Sequence, residues 1–237
     1  MAAVKTASVF ERIEQVRSRL RAAAERSNRA IDEITLVAVS KTHPPAAVRE
    51  AISVGLRDFG ENRVQEAETK IPVVGREAAR WHLIGHLQSN KARRAVELFD
   101  VIHSLDSIAL AQRLDRVCAD LEQPELPVLI QVQLGHEATK TGINEAYLQE
   151  LVDAVTSSPK LRLQGLMTLP PFFDDPEKAR PYFRRLRELR NDLKARGAFG
   201  DQAGDLSMGM THDFEVAIEE GATMIRVGTA IFGEREK

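Results

Sequence analysis

The feature that most constrains this fold is a regular alternation of short apolar runs with longer amphipathic stretches. Each run is continuous enough for a parallel strand that is covered on both sides, and apolar residues at helical spacing follow it. Eight runs meet this description: Ile34–Val39, Arg57–Gly60, Trp81–Gly85, Val101–Leu105, Val128–Leu134, Leu163–Leu169, Asp205–Met208 and Met224–Gly228.

Eight strand–helix units in 237 residues indicate an α/β fold, a (β/α)8 TIM barrel, which needs about 250 residues. One extra helix precedes the first strand, because Ser8 and Glu11 form a capping-box pattern ahead of a helical apolar stripe. The alternative is a doubly wound open sheet, but no G-x-G-x-x-G follows the first run. We expect a single domain over residues 1–237.

Charge and cysteine content exclude several classes of protein. The formal net charge is −2, which gives no electrostatic reason to expect nucleic acid or an anionic membrane as partner. No apolar run approaches the ~20 residues of a membrane span. Cys118 is the single cysteine, so an internal disulfide is impossible and a reducing, cytoplasmic location is expected.

Barrels carry their active sites at the carboxyl ends of the strands, and Lys41 follows the first strand closely. If Val37 and Val39 point into the barrel, period-two alternation points Lys41 inward as well. A partly desolvated lysine amine is suited to Schiff-base chemistry. The alternative is a strand-end lysine that reaches into solvent.

The last two strand ends predict a phosphate site. Ser207 lies in the seventh strand, and Gly228 and Thr229 follow the eighth, where barrels often bind phosphate through backbone N–H groups. A lysine facing such a site indicates pyridoxal 5′-phosphate (PLP), with Arg226 as partner of the pyridine nitrogen. The alternatives are turn-forming glycines, and a phosphate contact or structural ion pair for Arg226.

Several longer motifs in fixed order make the chain resemble the pyridoxal phosphate homeostasis proteins, once called proline synthase co-transcribed proteins. The resemblance runs nearly end to end. Its motifs are residues 36–41 (LVAVSK), 59–66 (FGENRVQE), 81–91 (WHLIGHLQSNK), 165–168 (GLMT), 206–210 (LSMGM) and 226–233 (RVGTAIFG).

The resemblance implies a barrel of the alanine-racemase N-terminal type, with PLP bound as an internal aldimine on Lys41. It also implies phosphate contacts at Ser207, Gly228 and Thr229, Arg226 near the pyridine nitrogen, and Asn62 near the cofactor ring. The alternative for Asn62 is a helix N-cap. Met167 and Met208, from two of the motifs, complete the predicted cofactor-binding set, with packing as their alternative.

Other residues receive a structural or peripheral interpretation. His82 lies within a strand run and is expected to be a hydrogen-bonded core histidine. Thr211 is expected to cap the last long helix, and the scattered histidines do not indicate a metal site. Gln133 stands where the family pattern has asparagine after strand five. His86, Lys91 and Lys140 are expected at the rim.

The expected function is that of a PLP carrier or regulator of vitamin B6 and amino-acid balance, without established catalysis. The alternative is a racemase-like enzyme of low activity, which needs a second base that neither Tyr147 nor Tyr182 is placed to supply. Apo PLP-enzymes or a regulatory protein are the candidate partners, and we expect a monomer.

Overall fold

The computed structural model describes residues 7–135 and 141–233, and within them it contains a parallel sheet of nine strands. The strands are β1 (Thr35–Val39), β2 (Asp58–Glu61), β3 (Arg80–Leu83), β4 (Val101–Leu105), β5 (Leu126–Gln133), β6 (Ile143–Asn144), β7 (Leu161–Met167), β8 (Asp205–Met210) and β9 (Met224–Val227).

Helices cover the outside of this sheet. They are α1 (Val9–Arg26), α2 (Pro45–Ser53), α3 (Val64–Val74), α4 (Ala92–Leu98), α5 (Ile108–Asp120), α6 (Leu148–Thr156), α7 (Arg180–Ala195), α8 (Phe214–Glu219) and α9 (Thr229–Phe232). Short 3-10 turns occupy Ile31–Glu33, Arg76–Ala78, Ser89–Lys91, Glu145–Tyr147 and Pro176–Ala179.

The sheet closes on itself. Its strand order is β4-β3-β2-β1-β9-β8-β7-β5-β6, and β4 also pairs with β5, so eight parallel strands form a barrel. The predicted TIM barrel is therefore confirmed, and each of the eight predicted strands overlaps an observed one. The two-residue strand β6 was not predicted, and it adds to the edge of β5 through Val132 and Ile143.

Two apolar layers follow from the alternation of side chains along the strands. Val101, Leu129, Met167 and Met224 form a cluster of their own. Their neighbours in sequence, such as Ile102, Ile130, Leu166 and Ile225, belong to the larger core that also contains the helix residues. The first cluster is therefore the barrel interior and the second lies between sheet and helices.

The extra N-terminal helix α1 begins as the sequence predicts. Ser8 is its N-cap, and the Ser8 and Glu11 side chains each bond the other's backbone N–H. The helix packs against the last helices of the chain, where the Arg12 guanidinium donates to the Ile231 carbonyl at 2.6 Å and the Arg19 guanidinium to Glu215 Oε1 at 2.6 Å.

Among residues 7–135 and 141–233, no helix combines the length and apolar character that crossing a membrane requires.

Candidate cofactor site

Lys41 lies in a tight turn directly after β1. Val37 and Val39 are buried but outside the helix-facing core, whereas Ala38 between them belongs to it, so the valines face the barrel interior as predicted. Thr42 has a φ of 67°, a left-handed conformation that is uncommon for a β-branched residue. Its N–H donates to the Glu66 carboxylate. The backbone just after Lys41 is thus held in an unusual conformation.

A buried ionic cluster holds the backbone just before Lys41 in the same turn. Lys70 of α3 donates to the Ser40 carbonyl at 2.7 Å, to Glu61 Oε1 at 2.6 Å and to Glu66 Oε1 at 2.8 Å. The Ser40 hydroxyl also donates to Glu61 Oε1, at 2.7 Å. Burial raises the pKa of Glu61, and the Lys70 ammonium opposes that rise. The residues on both sides of Lys41 are therefore fixed by side chains from β2 and α3.

Gly228 brings the end of β9 against the end of β1. A Cβ atom added to Gly228 would lie 3.2 Å from the Val39 carbonyl oxygen, tighter than most such contacts. Thr229 opens helix α9 directly after it. The first N–H groups of a helix have no intrahelical acceptor, so they remain available to an anion. Gly228 and Thr229 therefore form a small cup beside the Lys41 turn.

Arg226 lies below this cup, inside the barrel. It is 3% exposed, and its guanidinium donates to Ser207 Oγ at 2.5 Å and to the Thr168 carbonyl at 2.9 Å. Burial lowers its pKa to about 10, with Asp213 opposing, so it stays charged at neutral pH. Guanidinium has five N–H donors, and within the described residues these two bonds are its only ones, with no carboxylate in ion-pair distance.

Asn62 lies at the same end of the barrel as Lys41, because Gly60 pairs with Val39 and Asn62 is two residues further on. A Cβ atom at Gly85 would lie 2.3 Å from the Asn62 carbonyl oxygen, so only glycine allows this approach of the loop after β3. The N-cap of α3 is Arg63, so Asn62 does not serve the capping role considered as its alternative.

Three further predicted site residues lie at different depths. Ser207 is fully buried in the barrel, with its hydroxyl bonded to Arg226 and, at 2.9 Å, to His103 Nδ1. Met167 belongs to the interior cluster. Met208 packs in the helix-facing core, on the opposite side of β8 from Ser207, which leaves only its backbone for a cofactor contact. The cofactor roles of these three residues remain predictions.

Thr211 does not cap the last long helix, contrary to the sequence prediction. The N-cap of α8 is Asp213, whose carboxylate instead accepts from the Met210 N–H at 2.7 Å. Burial raises the pKa of this carboxyl. Thr211 sits in the turn between β8 and α8, which begins later than the pattern indicates.

Two of the three residues predicted at the rim of the site line a cavity. His86 and Lys91 line one cavity of about 480 Å³ together with Arg63. Gln133 is the last residue of β5. Lys140 lies outside the described residues.

The sequence did not predict the buried polar residues that contact the site residues Lys41 and Ser207 or their neighbours. Glu61 and Lys70 hold the Lys41 turn, and His103 joins His82 to Ser207. His82 is fully buried with both ring nitrogens bonded, as expected for a core histidine. The four-residue spacing of Glu66 and Lys70 was the one available signal, since such pairs meet on a helix face.

The fold and this site define a class of protein. Residues 12–236 match the family model described as alanine racemase, N-terminal domain. The alanine racemase of Corynebacterium glutamicum, at 16% identity, has the same fold with a TM-score of 0.66. The alignment covers 95% of this chain and 62% of that one.

Relatives of similar length narrow this class. The pyridoxal phosphate homeostasis protein of Escherichia coli K12 is 44% identical over 96% of this chain and 97% of its own length. That of Aquifex aeolicus is 43% identical over 95% of this chain and 98% of its own. PipY of Synechococcus elongatus PCC7942, solved with PLP bound, is 39% identical with a TM-score of 0.82, covering 95% of this chain and 100% of PipY. The chain therefore belongs to the pyridoxal phosphate homeostasis protein family.

Proposed function

We propose that this chain binds PLP at the carboxyl ends of the barrel strands and serves intracellular PLP and amino-acid homeostasis. The observation that carries the proposal is Arg226, a buried cation without a carboxylate partner among the described residues. Burying a lone charge is costly, so a protein that keeps one there has a use for it. A ligand with an anionic group and a hydrogen-bond acceptor suits the guanidinium donors that no described residue uses.

The residues present fit PLP in their chemistry. The amides at the start of α9, with Gly228 and the Thr229 hydroxyl, would hold the phosphate. Arg226 would donate to the pyridine nitrogen and, because it keeps its own proton, would leave that nitrogen unprotonated. Lys41 would hold the cofactor covalently, and Asn62 and Met167 would lie near the ring.

When bound, PLP supplies an aldehyde that condenses with an amine, losing water and forming a carbon–nitrogen double bond. The chain's part is to present the Lys41 amine. The ionic cluster of Glu61, Lys70 and Glu66 fixes the backbone on both sides of Lys41. Binding therefore costs little further conformational entropy in this turn.

We propose a carrier rather than a racemase. Racemisation needs a base that removes the α-proton on one face of the bound amino acid and an acid that returns a proton on the other. Tyr147 is 58% exposed on the helical surface, and Tyr182 of α7 stacks on Phe173. These placements favour a protein that holds and releases PLP. Incubation of the loaded protein with L-alanine should leave the D-isomer at background.

The proposed setting is a monomer in the cytoplasm. Its partners would be PLP itself and either apo PLP-enzymes, which receive the cofactor, or a regulatory protein. Capture experiments with the loaded and the unloaded protein distinguish the two, because an apo-enzyme that receives PLP should prefer the loaded form.

The central experiment is reduction with borohydride, which makes the carbon–nitrogen bond permanent. Peptide mapping of the PLP-loaded, reduced protein should place the adduct on Lys41. The Lys41→Ala variant should lose it, whereas Lys91→Ala, which changes a rim lysine, should keep it. An adduct that persists in Lys41→Ala would contradict the assignment.

A further inference from the structure

A chain of hydrogen bonds crosses the barrel interior behind Arg226. Arg226 donates to Ser207 Oγ at 2.5 Å, and Ser207 Oγ lies 2.9 Å from His103 Nδ1. His103 Nε2 lies 2.9 Å from His82 Nδ1, and His82 Nε2 lies 3.0 Å from Asp58 Oδ1. Four hydrogen bonds, through Ser207, His103 and His82, therefore link the buried arginine to the carboxylate of Asp58.

This hydrogen-bond chain runs across the barrel interior from β9 to β2. Arg226 is the third residue of β9, near its carboxyl end, whereas Asp58 is the first residue of β2, at its amino end. Both histidines and Ser207 are fully buried. The Asp58 side chain is 23% exposed, so the hydrogen-bond chain reaches solvent at the amino end of β2.

The groups at its two ends fix which atom donates and which accepts in each of these hydrogen bonds. A carboxylate only accepts, so His82 Nε2 carries the proton that bonds Asp58. A neutral His82 then accepts at Nδ1 from His103 Nε2–H, and His103 accepts at Nδ1 from the Ser207 hydroxyl. At the other end a guanidinium only donates, and the Ser207 oxygen has a lone pair for it. With both rings neutral, this arrangement gives a partner to all four ring nitrogens and to the Ser207 hydroxyl proton.

We propose that Asp58, His82, His103 and Ser207 are positioning residues that form a directed hydrogen-bond relay, which orients Arg226 toward the cofactor ring. This inference rests on the proposed function, because the ring is the acceptor that Arg226 would serve. It assigns the Ser207 hydroxyl to Arg226 and His103 rather than to the phosphate. Burial also lowers the pKa of His103 far below its usual range, which keeps that ring neutral.

The relay has a readout that needs no cofactor. Nitrogen NMR of the histidine-labelled protein without PLP should show both rings neutral, with the proton on Nε2 in each. A proton on Nδ1 of His103, or a charged ring there, would overturn the proposed direction. This measurement judges the relay even if PLP proves to bind elsewhere.

The absorption spectrum of bound PLP tests the same relay at its Arg226 end. Ser207→Ala should shift the absorption maximum of bound PLP, and Asp58→Leu should shift it too, although Asp58 is the relay residue farthest from Arg226. Asp58→Asn keeps an oxygen that accepts from His82 and should restore the wild-type spectrum. A shift in Ser207→Ala with none in Asp58→Leu would reduce the relay to a local contact and overturn the proposal.

Asp205 offers a matched control. It is the first residue of β8 and accepts from Gln164 at 2.7 Å and from the Thr223 hydroxyl at 2.9 Å, outside the relay. Asp205→Leu should leave the PLP spectrum and the His103 signals unchanged. Equal spectral shifts in Asp58→Leu and Asp205→Leu would mean that general loosening of the barrel, not the relay, changes the cofactor's surroundings.

Discussion

The ammonium group of Lys70 donates to the carbonyl of Ser40 at 2.7 Å, so a buried cation from α3 holds the backbone one residue before Lys41. The same ammonium neutralises Glu61, which lies fully buried beside it. All three ammonium protons are used, since the third bond goes to Glu66.

Lys70→Met should therefore destabilise the protein by about 3–5 kcal/mol, because it leaves the Glu61 carboxylate buried without its cation. Urea unfolding followed by circular dichroism measures the change. The double variant Glu61→Gln/Lys70→Met should recover part of the loss. Lys91→Met, which changes a cation without a described ion pair, should stay within about 0.5 kcal/mol of wild type.

Gly209 should resist substitution more strongly than Gly197, although both have a positive φ, 89° and 79° respectively. A Cβ atom at Gly209 would lie 2.6 Å from Ala217 Cβ and 2.9 Å from Phe214 Cα, whereas one at Gly197 meets nothing within 4 Å. Gly197→Ala should cost about 1–2 kcal/mol of backbone strain. Gly209→Ala should cost about 1–3 kcal/mol more from the clash. Equal melting temperatures for the two variants would contradict this difference.

Glu220 should stabilise the fold above its unfolded pKa. It is 5% exposed and contacts Arg180, Arg184 and Arg187 at 3.2, 2.9 and 3.1 Å. Burial pushes its pKa upward, but the hydrogen bonds from Arg184 and Arg180 and the charge of Arg187 outweigh burial, so the pKa is lowered in the folded state. Its contribution is present at neutral pH and is lost as pH falls through the folded pKa.

Glu220→Gln should consequently cost about 2 kcal/mol at neutral pH and have less effect in acid, where wild type loses the same contribution. Denaturant titrations at several pH values measure both. The control is Glu215→Gln, whose partner Arg19 forms a more exposed pair, with an expected cost of about 0–1 kcal/mol. A Glu220→Gln deficit that stays constant down to strongly acidic pH would contradict the linkage.

Cys118 should be inert in the native protein. Burial, with a smaller contribution from Asp115, raises the pKa of its thiol to about 11, and the thiolate is the reactive form. A disulfide reagent at pH 8 should label it only after denaturant is added. Rapid labelling of the native protein at that pH would show that the thiol is accessible and ionised.

The strand and helix pattern was predictable because the barrel repeats one signal eight times, and each apolar run sits where both faces are covered. The positions of Lys41 and Gly228 just after strands were also predictable, and they lie at the end where barrels carry their sites. The strand pattern and the places of these two residues depend only on nearby sequence.

The interior polar chain was not predictable in the same way. Whether His82 meets His103 depends on the stagger of β3 against β4, and sequence does not fix that stagger. For Ser207 the sequence gives a place near the end of a strand, but not the depth that brings its hydroxyl to Arg226 and His103. Its predicted phosphate contact stays a prediction. The late start of α8 likewise depends on the Asp213 side chain, which bonds Met210 instead of leaving Thr211 to cap.

The contact between Val39 and Gly228 joins the two ends of the described chain, since β1 and β9 are neighbours in the barrel. During synthesis the lysine turn leaves the ribosome well before the strand that completes the proposed phosphate cup. A partly made chain thus has the amine without the cup. Under the proposed function, the amine and the cup can hold PLP together only in a molecule whose barrel has already closed.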